Sequence, residues 1–196
     1  MGDDSINIVG NINDHLKNLK RLCPILRFQI NENDVSLVLN DRLLVNVLLF
    51  LKLHCSYQFK ILTCISGVDY SEKKYRFKIV YELLSIKYNN RLKIKIFVNE
   101  LKPVSSVMGL FFAAKWHEAE IWDMFGIFFT NHLNLVRLLT DYGFEGFPGR
   151  KNFPLTGYIE SRYNETKKSV IREIIELNQE YRNFKFLSVW ENTDLY

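Results

Sequence analysis

The sequence predicts an α+β fold in which helices cover a mixed sheet as two layers, followed by a long extended C-terminal strap. Between residues 25 and 98, several runs alternate apolar and polar side chains, which is typical of strands. Other stretches repeat apolar residues at helical spacing. Beyond Gly126 the periodicity ends, yet aromatic residues stay frequent. We therefore divide the chain into a domain at 1–126, whose first 12 residues we expect to be mobile, and an extended segment at 127–196.

The order of elements in the domain is predicted to be α-β-β-α-β-β-β-α. A first helix begins at Asn13 or Asp14, either of which can cap it, and it ends at Pro24. The wide apolar stripe of the second helix predicts that it packs on the sheet. The strand at 59–67 is predicted to be buried on both faces, because apolar residues dominate it. The elements after the first helix are strands at 25–30 and 35–39, a helix at 41–54, strands at 59–67, 75–88 and 91–98, and a helix from Ser105 or Ser106 to Phe125.

Two later segments are less distinct. Residues 165–180 fit both the spacing of a helix and the alternation of a strand. Residues 181–190 are predicted to be extended.

The composition bounds the class of protein. With 47% hydrophobic and 14% aromatic residues among 196, the chain can bury a substantial core. Its formal net charge of +4 does not by itself indicate nucleic acid. The three cysteines have no CxxC spacing, which predicts a reducing compartment and no iron–sulfur cluster, and we interpret Cys64 as a core residue. We expect no membrane span and, from the acidic start, neither a secretory signal nor a transit peptide.

One candidate metal site is incomplete. His117 and Glu118 resemble the start of an HExxH motif, but Ile121 stands where the second histidine is required. We therefore predict no zinc there. Instead we expect this helix face to present Glu120 and Asp123 to a partner's cations.

The predicted sheet offers an alternative function. A basic face with neighbouring tyrosines suits RNA binding or association with the ribosome. However, no RNP-like motif accompanies it, and alternating lysines are also typical of a half-solvated strand. On this interpretation Arg76 shares a face with Lys78, the next strand contributes Arg91, Lys93 and Lys95, and the tyrosines are Tyr75 and Tyr81.

The segment after Gly126 combines turn-forming residues with dense aromatic residues. A connection of this length without regular structure is uncommon inside a compact domain, and disordered segments contain few aromatic residues. We interpret it as an ordered strap that buries its aromatic side chains on its own domain or on another protein.

Three motifs between Trp116 and Tyr163 follow one another in unbroken order: WDMFGIFF, RLLTDYGFEG, and RKNFPLTGY followed by ESRY. Together they resemble the thirty-kilodalton subunit family, or subunit nine, of respiratory complex I, the proton-pumping NADH:ubiquinone oxidoreductase. Upstream, the resemblance lies in the order and length of the elements.

This resemblance implies a structural and assembly subunit of the peripheral arm, in the quinone-reducing module. Such a subunit has no catalytic residue, cofactor or metal of its own, while the complex uses FMN, iron–sulfur clusters and ubiquinone. The resemblance implies that the strap wraps the large subunit that helps form the quinone cavity, with no nucleic acid partner. The resemblance places the chain on the matrix side of the mitochondrial inner membrane. The richness in Ile, Asn, Lys, Phe and Tyr fits an AT-rich gene and favours a gene inside the organelle.

Charged residues that alternate with aromatic anchors define the predicted interface. We expect Tyr142, Phe144, Phe153 and Tyr158 to be the anchors. The full predicted interface is Trp122, Asp123, Phe125, Arg137, Asp141, Tyr142, Phe144, Glu145, Arg150, Lys151, Phe153, Tyr158, Arg162 and Tyr163.

The chain also departs from the family pattern, and several of the departures remove charge. Salt bridges at those positions are therefore in doubt, although the glycines and prolines that set the backbone path remain. The departures are Ala119, Leu133, Asn134, Val136, Phe147, Gly149 and Asn152.

Overall fold

The computed structural model describes residues 19, 21–31, 34–180 and 182. The predictions for residues 1–12, for the start of the first helix and, apart from residue 182, for 181–190 lie outside the described residues. The chain divides into two compact units, Met1–Pro154 and Leu155–Tyr196, which are described separately below.

The first unit is built on a five-stranded sheet with the strand order β1-β2-β5-β4-β3. All neighbouring strands are antiparallel except β2 and β5, which are parallel. The predicted α+β class and mixed sheet are therefore confirmed. The strands are β1 (Arg27–Asn31), β2 (Asp34–Leu39), β3 (Ile61–Asp69), β4 (Phe77–Ser85) and β5 (Asn90–Val98).

Two helices pack on the inner face of this sheet. A 3-10 turn at Asp41–Leu43 leads into α1 (Leu44–Leu53), and α2 spans Ala114–Phe125. The buried residues of α1 recur at helical spacing and join one core with the inner face of the strands. This confirms the helix that the sequence predicts at 41–54. Its buried residues are Leu44, Val47, Leu48 and Leu51.

Helix α2 lies close against β3 and β4. A Cβ on Gly67 of β3 would lie 2.8 Å from the Phe125 ring, so the glycine allows the end of α2 to approach the sheet. The Phe125 ring also meets the ring of Phe77 edge-on, with 6.2 Å between centroids. Phe125 therefore belongs to the packing of its own domain.

Two details of the predicted domain are wrong. Strand β3 is buried on its inner face only, because the helices described above cover one face of the sheet, and Cys64 on the outer face is half-buried rather than part of the core. Apolar composition does not reveal whether a second layer covers the outer face of a sheet. Helix α2 begins at Ala114, because Val104–Ser105 (β6) instead pairs in parallel with Phe129–Thr130 (β7).

The second unit contains a hairpin of β8 (Ile159–Asn164) and β9 (Ser169–Ile174). Residues 165–180, for which the sequence left both helix and strand open, therefore form a turn followed by a strand. We call β8 and β9 the terminal hairpin, and residues 131–154 of the first unit the aromatic loop.

Candidate partner-binding segment

Asp123, near the end of α2, holds the beginning of the aromatic loop. Its carboxylate is fully buried and accepts the backbone N–H groups of Leu138, Leu139 and Thr140 at 3.2, 2.7 and 2.9 Å. The Thr140 hydroxyl and the Arg137 guanidinium donate to its other oxygen at 2.6 and 3.1 Å. We expected Asp123 to face a partner's cations, but its cation is Arg137 of the same chain.

These bonds determine the charge state of Asp123. Burial alone would raise the pKa of Asp123, but the hydrogen bonds from the Thr140 hydroxyl and from three backbone N–H groups favour the carboxylate. The net result is a pKa below the ordinary value, so the group is ionised at neutral pH.

A second buried carboxylate, Asp69 at the end of β3, holds the last part of the loop. It accepts two bonds from Arg76, at 2.8 and 3.0 Å, and one from the Lys151 N–H at 2.9 Å. Arg76 also donates to Asn152 at 2.8 Å, so that departure from the family pattern keeps an acceptor although it loses a charge. The prediction that Arg76 shares a face with Lys78 is wrong, because Arg76 turns towards Asp69.

The loop also caps the C-terminus of α2. Gly126 takes a left-handed conformation with φ 76°, and the carbonyls that the helix leaves open are bound from the loop. Gly149 donates to the Met124 carbonyl at 2.8 Å, and Arg150 donates to the Phe125 carbonyl at 2.7 Å. A Cβ on Gly149 would lie 2.9 Å from the Met124 oxygen, so the contact requires glycine.

Aromatic side chains complete the packing of the loop. Phe147 meets Trp122 edge-on at 5.8 Å and lies under the Arg137 and Arg150 guanidiniums at 5.2 and 4.6 Å. These cation–π contacts explain how a phenylalanine fits at this departure. Phe144 and Phe153 pack on each other at 6.0 Å.

A third buried carboxylate, Glu118 of α2, binds the connection between β6 and that helix. It accepts the Ser106 hydroxyl at 2.5 Å and the Val107 N–H at 2.8 Å, and His132 lies 3.9 Å away. Burial raises the pKa of Glu118, and these bonds only partly offset it. Within the described ranges, no group of three or more His, Cys, Asp or Glu side chains is placed to hold a metal ion.

The predicted interface residues of the first unit thus fall into two groups. Some hold the chain together: Trp122, Asp123, Phe125, Arg137, Phe144, Arg150 and Phe153. Others are exposed: Asp141, Tyr142, Glu145 and Lys151. Tyr142 is 94% exposed. Exposed apolar residues of the aromatic loop that the prediction missed are Leu133, Val136, Leu138 and Leu139. Their apolar character within a loop is the signal that identifies them.

Most side chains of the terminal hairpin are exposed, and its two faces differ in how many apolar side chains they carry. By register, Ile159 faces Ile174 and Tyr163 faces Val170, which places four apolar side chains on one face. The opposite face carries the Arg162–Glu173 ion pair. Tyr158, just before β8, is also exposed.

No helix within the described residues has the length and apolar character needed to cross a membrane.

The fold and the motifs can now be compared with known proteins. A subunit structure of the membrane-bound sulfane sulfur reductase, an archaeal respiratory membrane complex, aligns with a TM-score of 0.66 at 18% identity, covering 88% of this chain and 99% of that one. At this identity the likeness concerns the fold alone.

Sequence comparison identifies the family. The profile described as "Respiratory-chain NADH dehydrogenase, 30 Kd subunit" matches residues 37–159. The chain is 50% identical over 165 residues to NADH-ubiquinone oxidoreductase subunit 9 of Reclinomonas americana, covering 84% of this chain and 81% of the relative. It is 51% identical over 152 residues to NADH dehydrogenase [ubiquinone] iron-sulfur protein 3 of Solanum tuberosum, covering 78% and 80%. The chain belongs to the 30-kilodalton subunit family of respiratory-chain NADH dehydrogenase.

Proposed function

We propose that the chain is a structural subunit of the peripheral arm of mitochondrial NADH:ubiquinone oxidoreductase, and that it docks on other subunits through the aromatic loop and the terminal hairpin. One observation carries the proposal. Asp123 and Asp69 hold the loop in an ordered path, while Tyr142 on that loop remains 94% exposed. A large aromatic side chain on a preorganised loop is suited to be a binding anchor.

The described side chains support a structural role. The three buried carboxylates of the first unit, Asp69, Asp123 and Glu118, are each engaged by donors of their own chain. The cysteines lie at separate places: Cys23 before β1, Cys55 after α1 and Cys64 on β3. We therefore propose that the FMN, the iron–sulfur clusters and the ubiquinone of the complex are held by other subunits.

The terminal hairpin supports docking on a large partner. Two-stranded hairpins are marginally stable alone in water, and this one exposes four apolar side chains on one face. Covering that face with another protein removes the apolar area from water. We propose that the main partner is the large subunit at the quinone cavity, on the matrix side of the inner membrane.

Native electrophoresis of the source membranes in mild detergent, with mass spectrometry of each band, tests this proposal. We expect the unmodified chain to co-migrate with NADH dehydrogenase activity in a very large band. Tyr142→Ala should weaken partner binding by about 2 kcal/mol and lower the share of the chain in that band. Tyr75→Ala is the matched control, since Tyr75 is 50% exposed outside the aromatic loop.

The results separate the two parts of the proposal. Equal incorporation of both variants would show that Tyr142 is not an anchor. Migration of the unmodified chain as a small species, or with ribosomal proteins, would overturn the respiratory assignment itself. For the hairpin, Val170→Lys should impair incorporation more than Ser169→Lys, because the neighbouring residues lie on opposite faces of β9.

A further inference from the structure

The outer face of the five-stranded sheet, opposite the helices, carries an unusual concentration of charge. Its positions follow from the alternation along each strand, with the core residues on the other side. Among the side chains that the structure describes, this face has one carboxylate, Glu82. Its cations are Arg27, Lys78, Arg91, Lys93 and Lys95.

This face is more one-sided in charge than the chain as a whole. The sequence has 26 lysines and arginines against 22 aspartates and glutamates. On the described part of this face the ratio is five cations to one carboxylate. A strand face that merely needs solvation has no requirement for one sign of charge. The imbalance instead favours a negatively charged binding partner.

Two of the ammonium groups, those of Lys78 and Lys95, are held by hydrogen bonds within the chain. Lys95 on β5 donates to Gln29 on β1 at 3.1 Å and to Ser36 on β2 at 3.0 Å. Its side chain is therefore held across β2 towards β1. Lys78 donates to the Tyr70 hydroxyl at 2.8 Å. That bond outweighs burial and lowers the pKa of Tyr70, in agreement with a positive local potential. Preorganised side chains lose less entropy on binding.

Apolar side chains lie between the cations. Val80 and Leu84 on β4 are half-buried, and Phe97 on β5 and Ile61 on β3 are each 38% exposed. An apolar centre among charged residues is the usual composition of a protein–protein interface. Single-stranded RNA would instead require stacking aromatic residues, yet Tyr81, which the RNA interpretation invokes, is fully buried in the core.

We propose that the outer face of the sheet is a second docking surface, which binds an acidic surface of a neighbouring protein subunit. This surface lies on the face of the sheet opposite α2, whereas the aromatic loop binds the end of α2. Carboxylates of the partner meet Lys93, Lys95 and Lys78, and its apolar side chains cover Val80 and Leu84. The attraction is electrostatic, so it weakens as the ionic strength rises.

The proposal is tested first on the unmodified chain, as the isolated protein and within the large band described above. Both samples are labelled with an amine-acylating reagent, and Lys73 and Lys74 in the exposed turn before β4 are the internal controls. We expect Lys93 and Lys95 to be labelled several-fold more slowly in the assembly, and Lys73 and Lys74 equally in both. A zero-length carbodiimide should link Lys93 or Lys95 to an aspartate or glutamate of another subunit.

A charge-reversal pair then measures the contribution of the face. Without crosslinker, the assembly that contains Lys93→Glu with Lys95→Glu should lose the subunit identified by the crosslink at a lower salt concentration than the unmodified assembly does. Lys73→Glu with Lys74→Glu makes the same change of charge and should leave the neighbour bound. Equal labelling in both samples, or carbodiimide links only to Glu82 of the same chain, would overturn the proposal. Protection that disappears on ribonuclease treatment would overturn it in favour of RNA.

Discussion

The aromatic loop and the terminal hairpin follow one another in the chain, and the sequence predicts them as one extended strap, yet their structures differ. The loop is held by two buried carboxylates and by the carbonyls of α2. The hairpin is held by its own ladder, and its side chains are mostly exposed. The loop therefore belongs to its domain, while the hairpin presents its apolar face to the surroundings.

This difference shows how the proposed docking segment is divided. A loop fixed by its own domain presents side chains such as Tyr142 without a further ordering cost. A marginal hairpin gains much of its order when its apolar face is covered. We expect damage to the loop to destabilise the free protein, and damage to the hairpin to appear mainly in the assembly.

The largest effect is expected at Asp123. Asp123→Ala leaves three backbone N–H groups without their acceptor and removes the carboxylate partner of Arg137, so the free energy of unfolding should fall by about 3 kcal/mol. Urea denaturation of the isolated protein measures this change. Glu120→Ala, an exposed carboxylate on the same helix, is the control and should change stability by less than about 0.5 kcal/mol. Similar values for the two variants would contradict the assigned role of Asp123.

A smaller loss is expected at Gly149. Gly149→Ala brings a methyl group within 2.9 Å of the Met124 oxygen, so the loop must shift away from α2. Thermal unfolding should report a loss of about 2 kcal/mol. Gly109 provides the matched control, because a Cβ there has no atom within 4 Å. If Gly109→Ala is equally destabilising, the close approach at Gly149 is not the cause.

The pH dependence of stability should separate the buried carboxylates. The pKa values of Asp69 and Asp123 are lowered in the folded state, so their contribution is complete above about pH 4 and is lost as the pH falls through the folded pKa values. The raised pKa of Glu118 acts in the opposite direction, and its contribution is lost as the pH rises through the folded value. Asp123→Asn should reduce the gain in unfolding free energy as the pH rises from the acid side. Glu118→Gln should reduce the loss of unfolding free energy as the pH rises through the folded pKa of Glu118.

The smallest effect is expected from the exposed ion pair of the hairpin. Arg162→Ala should hardly change amide exchange in β8 and β9 of the isolated protein, because exposed pairs contribute little. Hairpin amides should already exchange fast, whereas those of Leu139 and Thr140 should be protected by Asp123. Slow exchange throughout the isolated hairpin would remove the contrast between the two regions.

Much of the fold was predictable because local patterns decide it. The spacing in α1 and the alternation in β4 and β5 identify those elements directly. The edge position of β3 and the pairing of β6 with β7 were not predictable, since they depend on which distant strands become neighbours. Similarly, the sequence indicated that Asp123 and Arg137 matter, but not that they bind each other.

The sequence by itself determined the family, because motifs such as RLLTDYGFEG are specific regardless of where their side chains point. It also predicted that the aromatic residues after Gly126 pack on the domain or on another protein, since aromatic surface is costly in water. Only the tertiary structure decided that Phe144, Phe147 and Phe153 pack within the chain while Tyr142 stays exposed. The reason is that the path of the loop is set by Asp69 and Asp123, whose hydrogen-bond partners lie as far as 82 residues away in the chain.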